Sequence, residues 1–86
     1  MSTWRLYLLR CGDGTLYCGI AVDVAARLAL HEAGKGAKYT RGRGPLELVY
    51  EESCGSRSEA LKRERAVKGL ARAAKLRLIE GNANRR

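Results

Sequence analysis

Within residues 17–31, which read YCGIAVDVAARLALH, three side chains have the chemistry to handle phosphate and protons. Tyr17 carries a phenol that can donate or accept a hydrogen bond, and Arg27 a permanently charged planar fork that suits phosphoryl oxygens. His31 adds an imidazole that titrates near neutrality. Two residues of the same kind stand further off, Tyr7 and Glu64. In isolation each has an ordinary structural reading. Tyrosines decorate sheets, arginines snorkel beside apolar stripes, and a single histidine is more often hydrogen-bonded than catalytic. The five become a site only if the chain's elements bring them to one place.

Residues 4–11 alternate in part, with Trp4, Leu6 and Leu8 on one face and Tyr7 and Leu9 on the other. That pattern predicts a strand covered on both faces. Gly12, Asp13 and Gly14 supply turn chemistry, and residues 15–21 resume as a second strand with 16–21 as its regular part. A three-residue loop sets Leu9 opposite Tyr17 and Tyr7 opposite Gly19, and it places Leu6 and Leu8 on one face with Leu16, Cys18 and Ile20. A two-residue loop scrambles those faces unless a bulge intervenes. In the favoured register Tyr7 and Tyr17 are diagonal neighbours, and Gly19 leaves room beside Tyr7.

Asp23 is placed to cap a helix over residues 24–33 that Gly34 closes. Val24, Leu28 and His31 share a stripe on it, and Arg27 borders the stripe one turn before His31, so the two project together. Residues 34–44, GKGAKYTRGRG, hold Lys35, Lys38, Arg41 and Arg43, the ring of Tyr39, and no carboxylate. We expect a mobile basic loop suited to a nucleic-acid backbone, with Tyr39 available for stacking. Pro45 ends it, and residues 46–52 read as a third strand. Residues 53–58 read as a linker into a second helix, on which Ser56 and Glu59 have capping-box spacing. Ala60, Leu61 and Val67 mark its apolar stripe, and Glu64 falls inside that stripe, where an acid is costly unless paired or bound to a cation. Gly69 should end this helix, and a third follows over residues 72–80, with Ala74, Leu78 and Ile79 inward and Gly81 closing it.

Eighty-six residues form one small domain, which we place at residues 1–81 with a basic tail over 82–86. A chain of that size buries roughly 60–65% of its unfolded surface, enough for one modest core without a disulfide or metal staple. Seventeen Lys and Arg against nine carboxylates give a net charge of +8, and three cysteines lack CxxC spacing. The charge favours polyanions, nucleic acid first, and the odd cysteine count suits a reducing cytoplasm. No apolar run approaches the ~20 residues of a spanning helix, and residues 1–9 lack the pattern of a signal sequence, so neither membrane nor export is expected.

With these residues placed, the chain resembles a GIY-YIG nuclease domain of the small, stand-alone bacterial type, over roughly residues 4–79. Arg5-Leu6-Tyr7 stands where that family has its first motif and Tyr17-Cys18-Gly19 its second. Arg27 matches the family's helix arginine, ten residues on, and His31 falls where the family carries His or Tyr. Glu64, within EALKRE, matches the metal-binding glutamate, and AGKGAKYTRGR and KGLARAAKL are similar to segments of the same branch. Arg5 replaces the Gly of the first motif and Cys18 the middle Ile of the second. Ala71 starts the last helix where a capping side chain would serve better, at ~1 kcal/mol.

The resemblance implies an α/β (α+β) fold, a three-stranded antiparallel sheet flanked by about three helices. It also implies a divalent-metal phosphodiesterase acting on DNA, with RNA left open as a substrate. Glu64 would hold one Mg²⁺ (or Mn²⁺) per site, and Arg27 would neutralise charge developing on the phosphoryl oxygens. Tyr7 is the favoured base, with Tyr17 and His31 orienting it or relaying protons. A phenol of pKa ~10 must fall by ~3 units to serve, which takes ~4 kcal/mol, whereas His31 at ~6.5 is the easier base, so both assignments stand at this stage. One site cuts one strand, so double-strand cleavage needs a homodimer, sequential events or a protein partner. Two other readings compete: a non-catalytic nucleic-acid-binding domain that keeps the fold, and a small RNA- or ribosome-associated basic protein.

Overall fold

The computed structural model describes residues 3–83, with side chains through residue 81; the rest of the basic tail lies outside the described residues. Three strands, β1 (Trp4–Arg10), β2 (Leu16–Ala21) and β3 (Glu47–Gly55), form one antiparallel sheet in the order β2-β1-β3. The helices are α1 (Val24–Glu32), α2 (Arg57–Lys68) and α3 (Arg72–Ala83), with a 3₁₀ turn at Lys38–Thr40. Among the described residues no helix is long and apolar enough to cross a membrane.

The hairpin register is the one the side-chain pattern predicts. Leu9 pairs with Tyr17, Leu8 with Cys18 and Tyr7 with Gly19. Its turn closes with the Cys11 amide donating to the Thr15 carbonyl, and Gly14 takes the positive φ (86°) that a three-residue hairpin loop needs. The central strand β1 has no solvent face. Leu6 and Leu8 are fully buried on one side with Cys18 and Val67, against Leu78 and Ile79 of α3. Tyr7 and Leu9 are buried on the other with Cys11, Ala21, Val24 and Leu46. Each such leucine contributes about 1.5–3 kcal/mol relative to exposure, so β1 is the strand on which the core depends.

The helix starts follow from their caps. Asp23 accepts a hydrogen bond from the Ala26 amide, and Ser56 accepts one from the Glu59 amide. Gly69 caps α2 in a right-handed conformation. Two boundaries differ from expectation. β3 runs on to Gly55 where a linker was expected from residue 53, because β1 supplies partners for Ser53 and Gly55 beyond a register shift. α3 continues through Gly81, since one interior glycine costs a helix only about 1 kcal/mol and does not stop it.

The basic segment is also more ordered than a mobile loop. The Gly12 amide donates to the Arg43 carbonyl, and the Arg43 guanidinium donates to Asp13 in the hairpin turn. α2 is pinned to β3 by Arg63, whose Nε and Nη2 donate to the two carboxylate oxygens of Glu52 at 2.9 and 3.1 Å, while the Tyr50 hydroxyl donates to the same carboxylate. That clamp sits one residue from Glu64.

Candidate active site

The β1–β2 pairing and the α1 stripe bring Tyr7, Tyr17 and His31 together. Tyr7 Oη lies 2.9 Å from His31 Nε2, with both residues buried. The Tyr17 ring stands edge-on to the imidazole at 5.2 Å and 6.3 Å from the Tyr7 ring. Room for this comes from Gly19. A Cβ there would lie 2.6 Å from Tyr7 Oη and 3.1 Å from the Tyr17 ring, closer than side chains tolerate.

The far side of His31 is gripped by the basic loop. The Ala37 amide donates to His31 Nδ1 at 3.2 Å, and the Thr40 hydroxyl lies 3.0 Å from the same nitrogen. Thr40 is itself buried, although it sits in a segment whose charge predicts solvation. A Cβ on Gly36 would collide with the imidazole, so a glycine is needed for the loop to come this close. None of Gly36, Ala37 and Thr40 was singled out by sequence reasoning. The one available signal was the pair of glycines, Gly34 and Gly36, so soon after a histidine; nothing in residue type marks Thr40.

Arg27, exposed on α1, and Glu64, part-buried on α2, lie on helices packed against opposite faces of the sheet. α1 packs on the tyrosine face of the sheet and α2 on the other, yet both charges act on the tyrosines. Burial pushes the Tyr7 phenol well above its usual range, the neighbouring Tyr17 adds to this, the Arg27 charge pulls it down, and the Glu64 charge pushes it up. Burial also raises Tyr17, with the Lys68 charge lowering it and Glu64 raising it. The thiol of Cys18 is pushed up to about 11 by burial and then by Glu64, which makes it a poor nucleophile at neutral pH. His31 is lowered by burial and by Arg27, so its imidazole is neutral near pH 7. Glu64 is only 19% exposed at its side chain, and its carboxylate faces the Lys68 ammonium at 3.5 Å.

The basic residues divide into two groups. Lys35, Lys38 and Arg41 are exposed and make no ion pair among the described residues. Arg43 is committed: it pairs with Asp13 and its guanidinium lies 4.5 Å from the centre of the Tyr39 ring. Tyr39 stacks on Tyr17 at 5.8 Å while remaining 42% exposed, so the loop's aromatic is part of the site wall and not a free ring. Beside it, Arg72 and Lys75 of α3 line a shallow cleft with Thr15 and Leu16, adding two cations that sequence reasoning did not assign to the site.

The donor set bears on the metal that the resemblance implies. Among the described residues no group of three or more His, Cys, Asp or Glu could enclose a metal ion. A single half-buried carboxylate, already facing one cation, fits Mg²⁺, which keeps most of its waters and uses one or two carboxylates with substrate phosphate. It does not fit a structural zinc centre, which needs four protein ligands.

Comparison with known proteins agrees with the fold. A family model described as the GIY-YIG catalytic domain matches residues 3–77. The chain is 52% identical over 81 residues to a UPF0213 protein of Cronobacter sakazakii, spanning 94% of this chain and 85% of that one. It is 52% identical over 80 residues to a UPF0213 protein of Staphylococcus epidermidis, spanning 93% and 98%. Among solved structures, it is similar to the solution NMR structure of a UPF0213 protein from Bacillus halodurans, with 45% identity and a TM-score of 0.58 over 93% of this chain and 84% of that one. A second solution NMR structure, of a protein from E. faecalis, gives 35% identity and a TM-score of 0.66 over 96% and 88%.

Proposed function

Since the chain belongs to the GIY-YIG catalytic-domain family, a family of nucleases, we propose that it is a metal-dependent DNA endonuclease hydrolysing phosphodiester bonds. The observation that carries this reading is the meeting of Tyr7, Tyr17 and His31 in one buried cluster, with the Arg27 and Glu64 charges bearing on its phenol. Binding alone would need only the exposed cations. A fully buried Tyr–His pair with an arginine and an acid acting on it has no use in a passive basic surface.

In the proposed reaction a water oxygen attacks phosphorus, the water proton passes to Tyr7 in its phenolate form, and the bond to the 3′ oxygen breaks, that oxygen taking a proton from solvent. Arg27 would neutralise charge gathering on the phosphoryl oxygens, where a preorganised electrostatic contribution counts most. Glu64 would hold the divalent cation, which would supply Lewis-acid activation of the phosphate and offset Glu64's push on the Tyr7 phenol. Tyr17 walls the site and holds Tyr39 against it. Lys35, Lys38 and Arg41 track the backbone, with Arg43 and Tyr39 shaping the entrance, so selectivity falls on DNA structure more than on sequence. We place the enzyme in the cytoplasm, in repair, recombination or DNA turnover, cutting one strand per site.

The test compares the protein and its Glu64→Ala variant on nicked, flapped, branched and linear DNA, with and without Mg²⁺. Metal-dependent cleavage lost in the variant supports the enzyme. Equal DNA binding by both with no cleavage by either leaves a binding domain that has kept the fold.

A further inference from the structure

The Tyr7–His31 hydrogen bond can run in either direction, and the loop behind His31 settles which. A neutral imidazole carries one proton, on Nδ1 or on Nε2. The Ala37 N–H points at Nδ1 at 3.2 Å, and a backbone amide hydrogen cannot be turned away. A proton on Nδ1 would therefore face another proton in a buried space. The Thr40 hydroxyl has one proton and two acceptors within reach, the Ala37 carbonyl at 2.9 Å and Nδ1 at 3.0 Å. The Ala37 carbonyl also accepts from the Thr40 amide at 3.1 Å, so turning the hydroxyl proton onto a bare Nδ1 leaves that carbonyl satisfied and avoids setting two lone pairs face to face. Gly36, by lacking a Cβ, lets both donors reach the ring.

We propose that Thr40 is a positioning residue, which with the Ala37 amide holds His31 in its Nε2–H form so that the imidazole donates to the Tyr7 hydroxyl. His31 then braces Tyr7 and does not take a proton from it. Donation into the phenol oxygen favours its charged form, and that is the form able to accept a proton from water. The same peptide segment carries Lys35, Lys38 and Arg41, so a loop facing the substrate backbone also fixes the proton inventory of the site. The tautomer is independent of the nuclease reading; only the rate effect rests on it.

His31 is the sole histidine, so its two ring nitrogens give unambiguous signals in a long-range proton–nitrogen NMR correlation. In the unaltered protein near pH 7.5 we expect Nε2 protonated and Nδ1 bare. A protonated Nδ1, or a cationic ring, overturns the proposal. Thr40→Val, close in shape but without the hydroxyl, should move the ring nitrogens toward a tautomer average, and Thr40→Ser should restore them. In cleavage assays Thr40→Val should lower kcat by up to about 100-fold with KM nearly unchanged, and Thr40→Ser should recover most of it. Nitrogen shifts unaltered in Thr40→Val would remove Thr40 from the role. If no DNA is cut by any form, the nuclease reading fails while the nitrogen shifts still decide the tautomer.

Discussion

His31 illustrates how burial and neighbours turn a titratable side chain into a fixed one. Burial and the Arg27 charge hold its folded pKa below the unfolded value of ~6.5. On acidification the unfolded chain therefore binds the proton first. The stability contributed by the neutral ring is complete above pH ~6.5 and is lost as the pH falls from there toward the folded pKa. Denaturant unfolding of the unaltered protein should show stability falling from about pH 7.5 to 5.5, with a shallower fall in His31→Gln. Parallel curves would assign the acid sensitivity to carboxylates instead. Tyr7 presents the opposite problem. Burial raises the phenol, so its service as a base depends on positive charge and donated hydrogen bonds; the Arg27 charge pulls it down, and His31 lies 2.9 Å from its oxygen.

At the scale of elements, the hairpin is what makes the site. Gly19 stands opposite Tyr7 in the register, and the space above it is filled by the Tyr7 and Tyr17 rings. Gly19→Ala should leave the sheet formed, because alanine fits a strand, while driving Tyr7 off His31. Circular dichroism should be retained and cleavage reduced by roughly 100-fold; normal turnover would mean that Tyr7 has slack the geometry does not show. This much was legible in the sequence, because hydrophobic alternation and a three-residue turn leave a single register that keeps both faces buried. The helix caps at Asp23 and Ser56 were legible for the same kind of local reason. The rest depended on tertiary contacts. Ser53 to Gly55 look like a turn and become strand only because β1 has free edge there, and Gly81 looks like a stop while the helix continues through it. Thr40 was illegible because its burial depends on a histidine nine residues away, with no periodicity linking the two.

For the whole molecule, charge and architecture divide the work. The net charge of +8 draws a polyanion from any direction, but Arg72 and Lys75 line a cleft with Tyr39, which stacks on Tyr17, and Lys38 and Arg41 flank Tyr39 and Thr40 in the chain. Replacing Lys38 and Arg41 with alanine should therefore weaken binding uniformly across sequences. The slope of log affinity against log salt should flatten by about 1.8 for two lost contacts on duplex DNA, or about 1.4 on single strands. An unchanged slope would move the contact to another surface. The sheet order has a different consequence. Because β1 is enclosed on both faces and between both neighbours, its chemistry depends on parity. Tyr7 faces His31 only while an even number of positions separates it from Leu9, its companion on that face. Substitutions in β1 can be absorbed to a degree, but gaining or losing one residue would present a leucine to the imidazole and bury the phenol in the opposite layer. Length is thus fixed in the strand that carries the phenol and in the three-residue turn that sets its register.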